Sequence, residues 1–355
     1  GVNDALIVQA VKDGSLKEDI LDQAVERILR IIFEYADNRA PQEFTMEKDH
    51  EEARHIAEES MVLLKNDEQI LPLKASEKIA FIGGFAKKPR FQGGGSSHIN
   101  CFKITNALDS VPSDAQVTYA EGFPADKNLY DDALAAEAIK TAAAADKVVI
   151  FAGLPDSFES EGYDRSHMRL PECQNRLIAE ILKVQPNTVI VLHNGSPVEL
   201  PWLNDIKGLL EAYLGGQAGG TAVANILYGK VNPSGNPSYL NFGGGEKVEY
   251  HEGVFVGYRY YDTKEMGVAY PFGYGLSYTT FACSDLKISN ENPTDKDTIT
   301  VSVDVTNTGN IAGKEVVQLY VKDCTSSAIR PEKELKGFEK VFLNPGETKA
   351  VTMEL

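Results

Sequence analysis

The densest chemistry in the chain lies in Glu159-Ser160-Glu161-Gly162-Tyr163-Asp164-Arg165, which with Asp156 sets four acids and an arginine around a glycine. An apolar run of strand length, Lys147-Val148-Val149-Ile150-Phe151, precedes it, so the acids read as a long loop leaving the end of a buried strand. Burial and acidic neighbours raise the pKa of a carboxyl group on such a loop. A raised pKa is what a general acid needs near neutral pH. A solvated acidic loop is the competing reading, because most charge runs face water. Glu161 and Glu159 are both candidates for the acid.

A second stretch, Arg90-Phe91-Gln92-Gly93-Gly94-Gly95-Ser96-Ser97-His98, also follows an apolar strand-like run. A glycine loop rich in hydroxyls and amides can hydrogen-bond a sugar or cradle a phosphate, and it can equally be a plain surface loop. Neither GxGxxG nor GxxxxGK[ST] occurs, which argues against a dinucleotide or P-loop site. His50 and His55 stand five apart, one too many for the zinc helix motif, so no metal site is expected. Gly195-Ser196-Pro197 is no nucleophile elbow, which disfavours a serine hydrolase. Tyr250, Phe255, Tyr258, Tyr260, Tyr261, Tyr270, Phe272, Tyr274, Tyr278 and Phe281 form an aromatic cluster. Such rings stack on sugars, or more commonly pack interfaces.

The elements that must position these loops alternate. A helix over 51–65 precedes strands at 78–82 and 116–120, a helix at 131–145 and a strand at 147–152. A helix at 172–184, strands at 188–193 and 209–214, and a helix at 221–227 complete the series. Strand–helix alternation predicts a mostly parallel sheet covered on both faces. Ligand sites in such sheets lie beyond the carboxyl ends of the strands, where both loops fall. Before this series, Ser15-Leu16-Lys17-Glu18 fits a capping box. Ile20, Leu21, Ala24, Val25, Ile28, Leu29 and Ile32 then give a helical apolar stripe that needs a partner, so residues 1–40 read as the end of something larger. After residue 273, alternating strands at 298–306 and 315–321 predict a small β-sandwich. It runs out in strand-like Met353-Glu354-Leu355, as a truncated domain would.

A net charge of −17 over 355 residues argues against nucleic acid. No run of 18 apolar residues suggests a membrane span. The four cysteines are far apart, which favours free thiols in a reducing, cytoplasmic compartment.

Taken together, these stretches resemble glycoside hydrolase family 3. The resemblance is carried by Ala57-Glu58-Glu59-Ser60-Met61-Val62-Leu63-Leu64-Lys65-Asn66, by Ile82-Gly83-Gly84 with Gln92-Gly93-Gly94-Gly95-Ser96-Ser97, and by Glu161-Gly162-Tyr163-Asp164-Arg165 with Leu170-Pro171 and Gln174. Asn194-Gly195-Ser196-Pro197-Val198-Glu199, Asn232-Pro233-Ser234-Gly235, Phe255-Val256-Gly257-Tyr258-Arg259-Tyr260-Tyr261 and Pro271-Phe272-Gly273-Tyr274-Gly275-Leu276-Ser277-Tyr278 add to it. The resemblance implies an α/β fold class: the last helix and linker of a (β/α)8 barrel at 1–47, a mostly parallel α/β sandwich at 48–272, and a truncated fibronectin type III-like β-sandwich at 273–355. It implies a retaining, exo-acting β-glucosidase that removes terminal non-reducing glucose, with Glu161 as acid/base. Tyr163, Ser96, Ser97 and Arg90 would border the sugar, and Asp164 and Arg165 would brace the loop as an ion pair. The nucleophilic aspartate would belong to the barrel, outside this chain, so the chain alone is expected to be inactive. The implied partners are a small oligosaccharide or aryl β-glycoside and the barrel of the same enzyme. No cofactor, nucleic acid or membrane is implied, and homo-oligomerisation is left open. The family usually carries about a dozen more residues between Gly235 and Asn236, consistent with variable loop length. A non-catalytic carbohydrate-binding or structural unit is the alternative of a different class.

Overall fold

The computed structural model describes residues 3–39, 44–162, 165–235, 253–294 and 296–355. Tyr163, Asp164, Tyr250 and the stretch following Gly235 therefore lie outside the described residues. The chain divides into two compact units, Gly1–Thr45 and Met46–Leu355.

The first unit holds α1 (Asp4–Lys12) and α2 (Glu18–Asp37). The expected capping box does not form. Lys17 is the N-cap of α2, without a side-chain bond. The Ser15 hydroxyl donates instead to Asp13 Oδ1 at 2.6 Å and to Ala10 O at 3.3 Å. A carboxylate two residues away captured the hydroxyl before the helix could. Along α2, Ile20, Ile28, Ile31 and Phe33 are more than half exposed.

The second unit opens with α3 (Met46–Ser60) and β1 (Val62–Asn66). The sequence predicts one helix over 51–65; the helix instead stops at Ser60. Val62 and Leu63 pair antiparallel with Glu211 and Leu210. Their apolar spacing suits a helix, but tertiary pairing overrides local pattern in so short a run. Five parallel strands follow: β2 (Lys78–Ile82), β3 (Gln116–Ala120), β4 (Lys147–Gly153), β5 (Thr188–His193) and β6 (Gly208–Glu211). The sheet order is β1-β6-β5-β4-β2-β3. Strands β5 and β6 are buried along their whole length, as both-face coverage of a parallel sheet requires. The helices α4 (Asp132–Ala143), α5 (Glu172–Leu182) and α6 (Gly219–Leu227) cover it. Asp131 caps α4 by accepting the N–H groups of Ala133 and Leu134.

A short helix, α7 (Tyr258–Thr263), leads to the β-sandwich. One of its sheets pairs β9 (Gly313–Val321) with β10 (Glu334–Leu343). The other orders β11 (Thr348–Glu354), β8 (Thr300–Asn307) and β7 (Phe281–Ile288). Val305, Val341, Leu343 and Val351 fill its core. Glu59, at the end of α3, joins the layers by accepting from Lys314, and from Lys340 at 3.1 Å. Tyr258 stacks on Phe272 at 4.7 Å and meets Tyr320 of β9 edge-on at 5.9 Å. These rings of the aromatic cluster serve packing between the layers. The four cysteines are unpaired. Among the described residues, no helix is long and apolar enough to cross a membrane.

Candidate active site

Strand order sets where a site can form. From β2 the chain moves outward to β3, then returns to lay β4 on the other side of β2. The carboxyl ends of β2 and β4 therefore flank a topological switch point, the usual ligand crevice of an open α/β sheet. The glycine loop leaves β2 and the acidic loop leaves β4, so the fold brings both to this point.

The two loops touch through Glu161. The Ser96 N–H donates to Glu161 Oε2 at 2.7 Å, from a 3-10 turn over Gly95–Ser97. Gly95 has φ +75°, and a Cβ there would lie 2.5 Å from Glu161 Oε2 and 2.6 Å from Glu161 Cβ. Only glycine allows that approach. The Ser97 hydroxyl donates to Gly94 O at 3.0 Å and so closes the same turn. Gly95→Ala is expected to cost about 1–2 kcal/mol from its backbone conformation alone, with the added methyl pushing the Glu161 carboxylate out of place. Thermal denaturation checks the first effect; an unchanged Tm would refute the strain at this position.

Burial distinguishes the two candidate acids. Glu161 is exposed, and its hydrogen bonds from the Ser96 side chain and backbone hold its carboxyl below the ordinary value. The sequence reading expected burial and acidic neighbours to raise it; in this chain the Ser96 bonds outweigh the upward push of burial. Glu159 is the half-buried one. Burial pushes its carboxyl up, but bonds from Ser196, Arg90 and the Gly195 N–H outweigh that and hold it low. A carboxylate so paired is kept ionised and cannot serve as a proton donor.

Arg90, expected to border the sugar, is held by the same loop. It is 7% exposed. Its Nη1 meets Glu159 Oε2 at 2.5 Å and Leu154 O at 2.8 Å, Nη2 donates to Glu159 O at 2.8 Å, and Nε reaches Asp156 Oδ1 at 3.1 Å. Arg165, expected to pair with Asp164, sends Nη2 to Ser196 Oγ and Pro197 O, both at 2.8 Å. Gln174 on α5 clamps the start of the loop, exchanging two 2.9 Å bonds with the Gly153 backbone. Of the expected site residues, Glu161, Ser96, Ser97 and Arg90 thus come together, and Tyr163 lies outside the described residues.

Two buried titratable groups escaped the sequence reading of the site. His193 ends β5, stacked near Phe151, and burial pushes it down to about 4. Glu211 ends β6, and burial pushes it up to about 8. The signal available for Glu211 was a lone acid closing the apolar run Gly208-Leu209-Leu210.

Residues 61–278 match the Glycosyl hydrolase family 3 C-terminal domain, and residues 315–355 match a Fibronectin type III-like domain. The chain is 53% identical over 373 residues to Thermostable beta-glucosidase B of Acetivibrio thermocellus, covering 100% of this chain and 49% of that protein. It is 42% identical over 378 residues to the Exo-alpha-(1->6)-L-arabinopyranosidase of Bifidobacterium longum, covering 99% of this chain and 50% of that protein. Among solved structures, the GH3 beta-glucosidase of Bifidobacterium adolescentis superposes with a TM-score of 0.89 at 42% identity, over 100% of this chain and 55% of that one. The chain spans about half the length of the curated relatives it matches. With its α/β layer matched across most of its length and a fibronectin-like sandwich behind it, the chain belongs to glycoside hydrolase family 3.

Proposed function

We propose that this chain carries the general acid/base of a retaining, exo-acting β-glucosidase that removes terminal non-reducing glucose from a small oligosaccharide or aryl β-glycoside. Glu161 is that residue. The observation that carries the reading is the meeting of Glu161 with the glycine loop at the switch point of the sheet, while Glu159 is held by Arg90. The similarity to a protein named as a β-glucosidase supports the substrate class.

The nucleophile is an aspartate of a barrel outside this chain. It attacks the anomeric carbon while Glu161 protonates the leaving oxygen; Glu161 then takes a proton from water to release the sugar. Retention of configuration places the two carboxyl groups roughly 5–5.5 Å apart in the assembled site. The arabinopyranosidase among the relatives makes an α-L-arabinopyranoside the first alternative glycon to assay.

The exposure of Glu161 and its carboxylate-favouring hydrogen bonds give a second reading some support. On it, the chain is a non-catalytic carbohydrate-binding or structural unit. One experiment separates the two. The isolated chain is expected to show no turnover of an aryl β-glucoside above the uncatalysed rate, and no tight binding of glucose by calorimetry. Clear turnover would sink the claim that the nucleophile lies elsewhere. Tight glucose binding without turnover would favour the binding unit.

A further inference from the structure

Glu211 is the least expected acid in the α/β layer. It closes the apolar strand β6 and is 1% exposed. Its Oε1 accepts from the Tyr213 N–H at 3.0 Å, and its Oε2 from Asn194 Nδ2 at 3.3 Å. No cation among the described residues pairs with it. A charged carboxylate in that position is costly, and an uncharged, hydrogen-bonded one costs far less.

Asn194 links this acid to the loop of Glu161. Its Nδ2 also donates to Ser196 O at 3.1 Å, which folds the turn after β5. That turn holds both shoulders of the acidic loop. The Gly195 N–H donates to Glu159 Oε2 at 2.9 Å, two residues before Glu161. Ser196 Oγ and Pro197 O receive Arg165, four residues after it. We propose that Glu211 is a positioning residue for the Glu161 loop, acting through Asn194 and the turn at 194–197. The kinetic side of this inference rests on the acid/base reading above; the stability side does not.

Burial is the main cause that pushes the Glu211 carboxyl up to about 8; the bonds from Tyr213 and Asn194 oppose it, and the charge of Glu159 adds to it. Other titratable or charged groups around this end of the sheet are His193 on β5, Arg90 behind Glu159, and Asp262, Tyr258, Tyr260, Tyr261 and Tyr270 across a cavity of about 580 Å³ that Glu211 and Asn194 line. Unfolded, Glu211 ionises near 4.5; folded, near 8. Between those values the folded chain keeps a proton that the unfolded chain has lost. Its contribution to stability therefore falls as pH rises from about 4.5 to about 8, then levels off. Above that range the ionised carboxylate faces Glu159 and loosens the turn.

Two variants test this. Glu211→Gln keeps an acceptor for Asn194 and cannot ionise; Glu211→Ala removes the acceptor. Melting of the chain from pH 5 to 9 is expected to show the glutamine variant gaining on the native chain with pH, reaching a Tm gap of roughly 3–10 °C by pH 8. Parallel curves at every pH would overturn the uncharged state. In the enzyme that includes the barrel, the alanine variant is expected to lose about 10- to 100-fold in kcat with KM little changed. The glutamine variant should restore turnover near pH 6 and carry it to higher pH than the native enzyme. Equal loss in both variants, or an unmoved alkaline limb, would overturn the positioning role. If Glu161→Gln is also silent in that enzyme, the acid/base reading has failed instead, while the melting curves still judge the charge state of Glu211.

Discussion

Glu161→Gln is expected to slow hydrolysis of unactivated β-glucosides by about 10²- to 10⁴-fold in the enzyme that joins this chain to its barrel, the range general acid–base groups supply. Glutamine keeps the acceptor for the Ser96 N–H but can neither protonate a leaving oxygen nor take a proton from water. The loss should shrink for aryl glucosides whose leaving groups need little protonation. With those substrates the glycosyl-enzyme accumulates, and azide, a nucleophile that needs no base, should restore part of the rate and yield a glucosyl azide of retained configuration. Full activity in Glu161→Gln, or azide rescue appearing in Glu159→Gln instead, would move the acid/base assignment elsewhere.

The state of Glu161 in this chain fits only part of its cycle. The Ser96 hydrogen bonds favour the carboxylate, the form needed when the group acts as base on water. The acid step needs the proton, and an exposed glutamate offers nothing to retain it. Desolvation by an opposing wall and the negative charge of a nearby nucleophile both raise a carboxyl pKa. On the proposed reading the barrel supplies both, which explains why a chain that holds its acid in place would still be inert by itself.

The sheet was legible in the sequence where runs are apolar and bounded. The strands at 78–82, 116–120 and 188–193 were read to the residue; the first and last are mostly or wholly buried and leave an uninterrupted apolar pattern, whereas β3, at the sheet edge, alternates exposed and part-buried positions. The helix over 51–65 was misread because its apolar spacing continues into Val62-Leu63-Leu64, and only pairing with β6 decides otherwise. The loops were legible as motifs, but the division of labour inside them was not. Glu159 and Glu161 look alike on paper. What separates them is Arg90, 69 residues from Glu159 in the chain, and Ser96, 65 residues from Glu161. The family resemblance implied Arg90 at the border of the sugar, and nothing local shows that a half-buried carboxylate also claims it. Glu211 was missed for the same reason, since Asn194 and Tyr213 reach it only once β5 and β6 lie side by side.

Arg90→Ala is expected to cost this chain about 3–5 kcal/mol, the range for breaking a buried ion pair from one side. The alternative role, a rim residue touching sugar, predicts almost no loss of stability. The larger cost follows from what the side chain leaves behind. Glu159, whose side chain is 20% exposed, would keep a charge without its cation, and the carbonyls of Leu154 and Glu159 would lose their donors. A drop in Tm on the order of 10 °C is the expected reading. Arg90→Lys should recover only part of it, since a single ammonium cannot reach Glu159, Asp156 and Leu154 in the fork that the guanidinium makes. Glu159→Gln should be milder than Arg90→Ala, and the double variant should lose less than the two single losses added. The pH dependence has a definite sign. The carboxyl of Glu159 is held below its ordinary 4.5 in the folded chain, so the stability it contributes is present above that pH and disappears as pH falls through its folded value. The gap between native chain and Arg90→Ala should therefore be widest near neutrality and narrow in acid. A gap that stays constant down to pH 3, or a Tm within about 1 °C of native at pH 7, would return Arg90 to the rim of the pocket and leave the Glu161 loop without its brace.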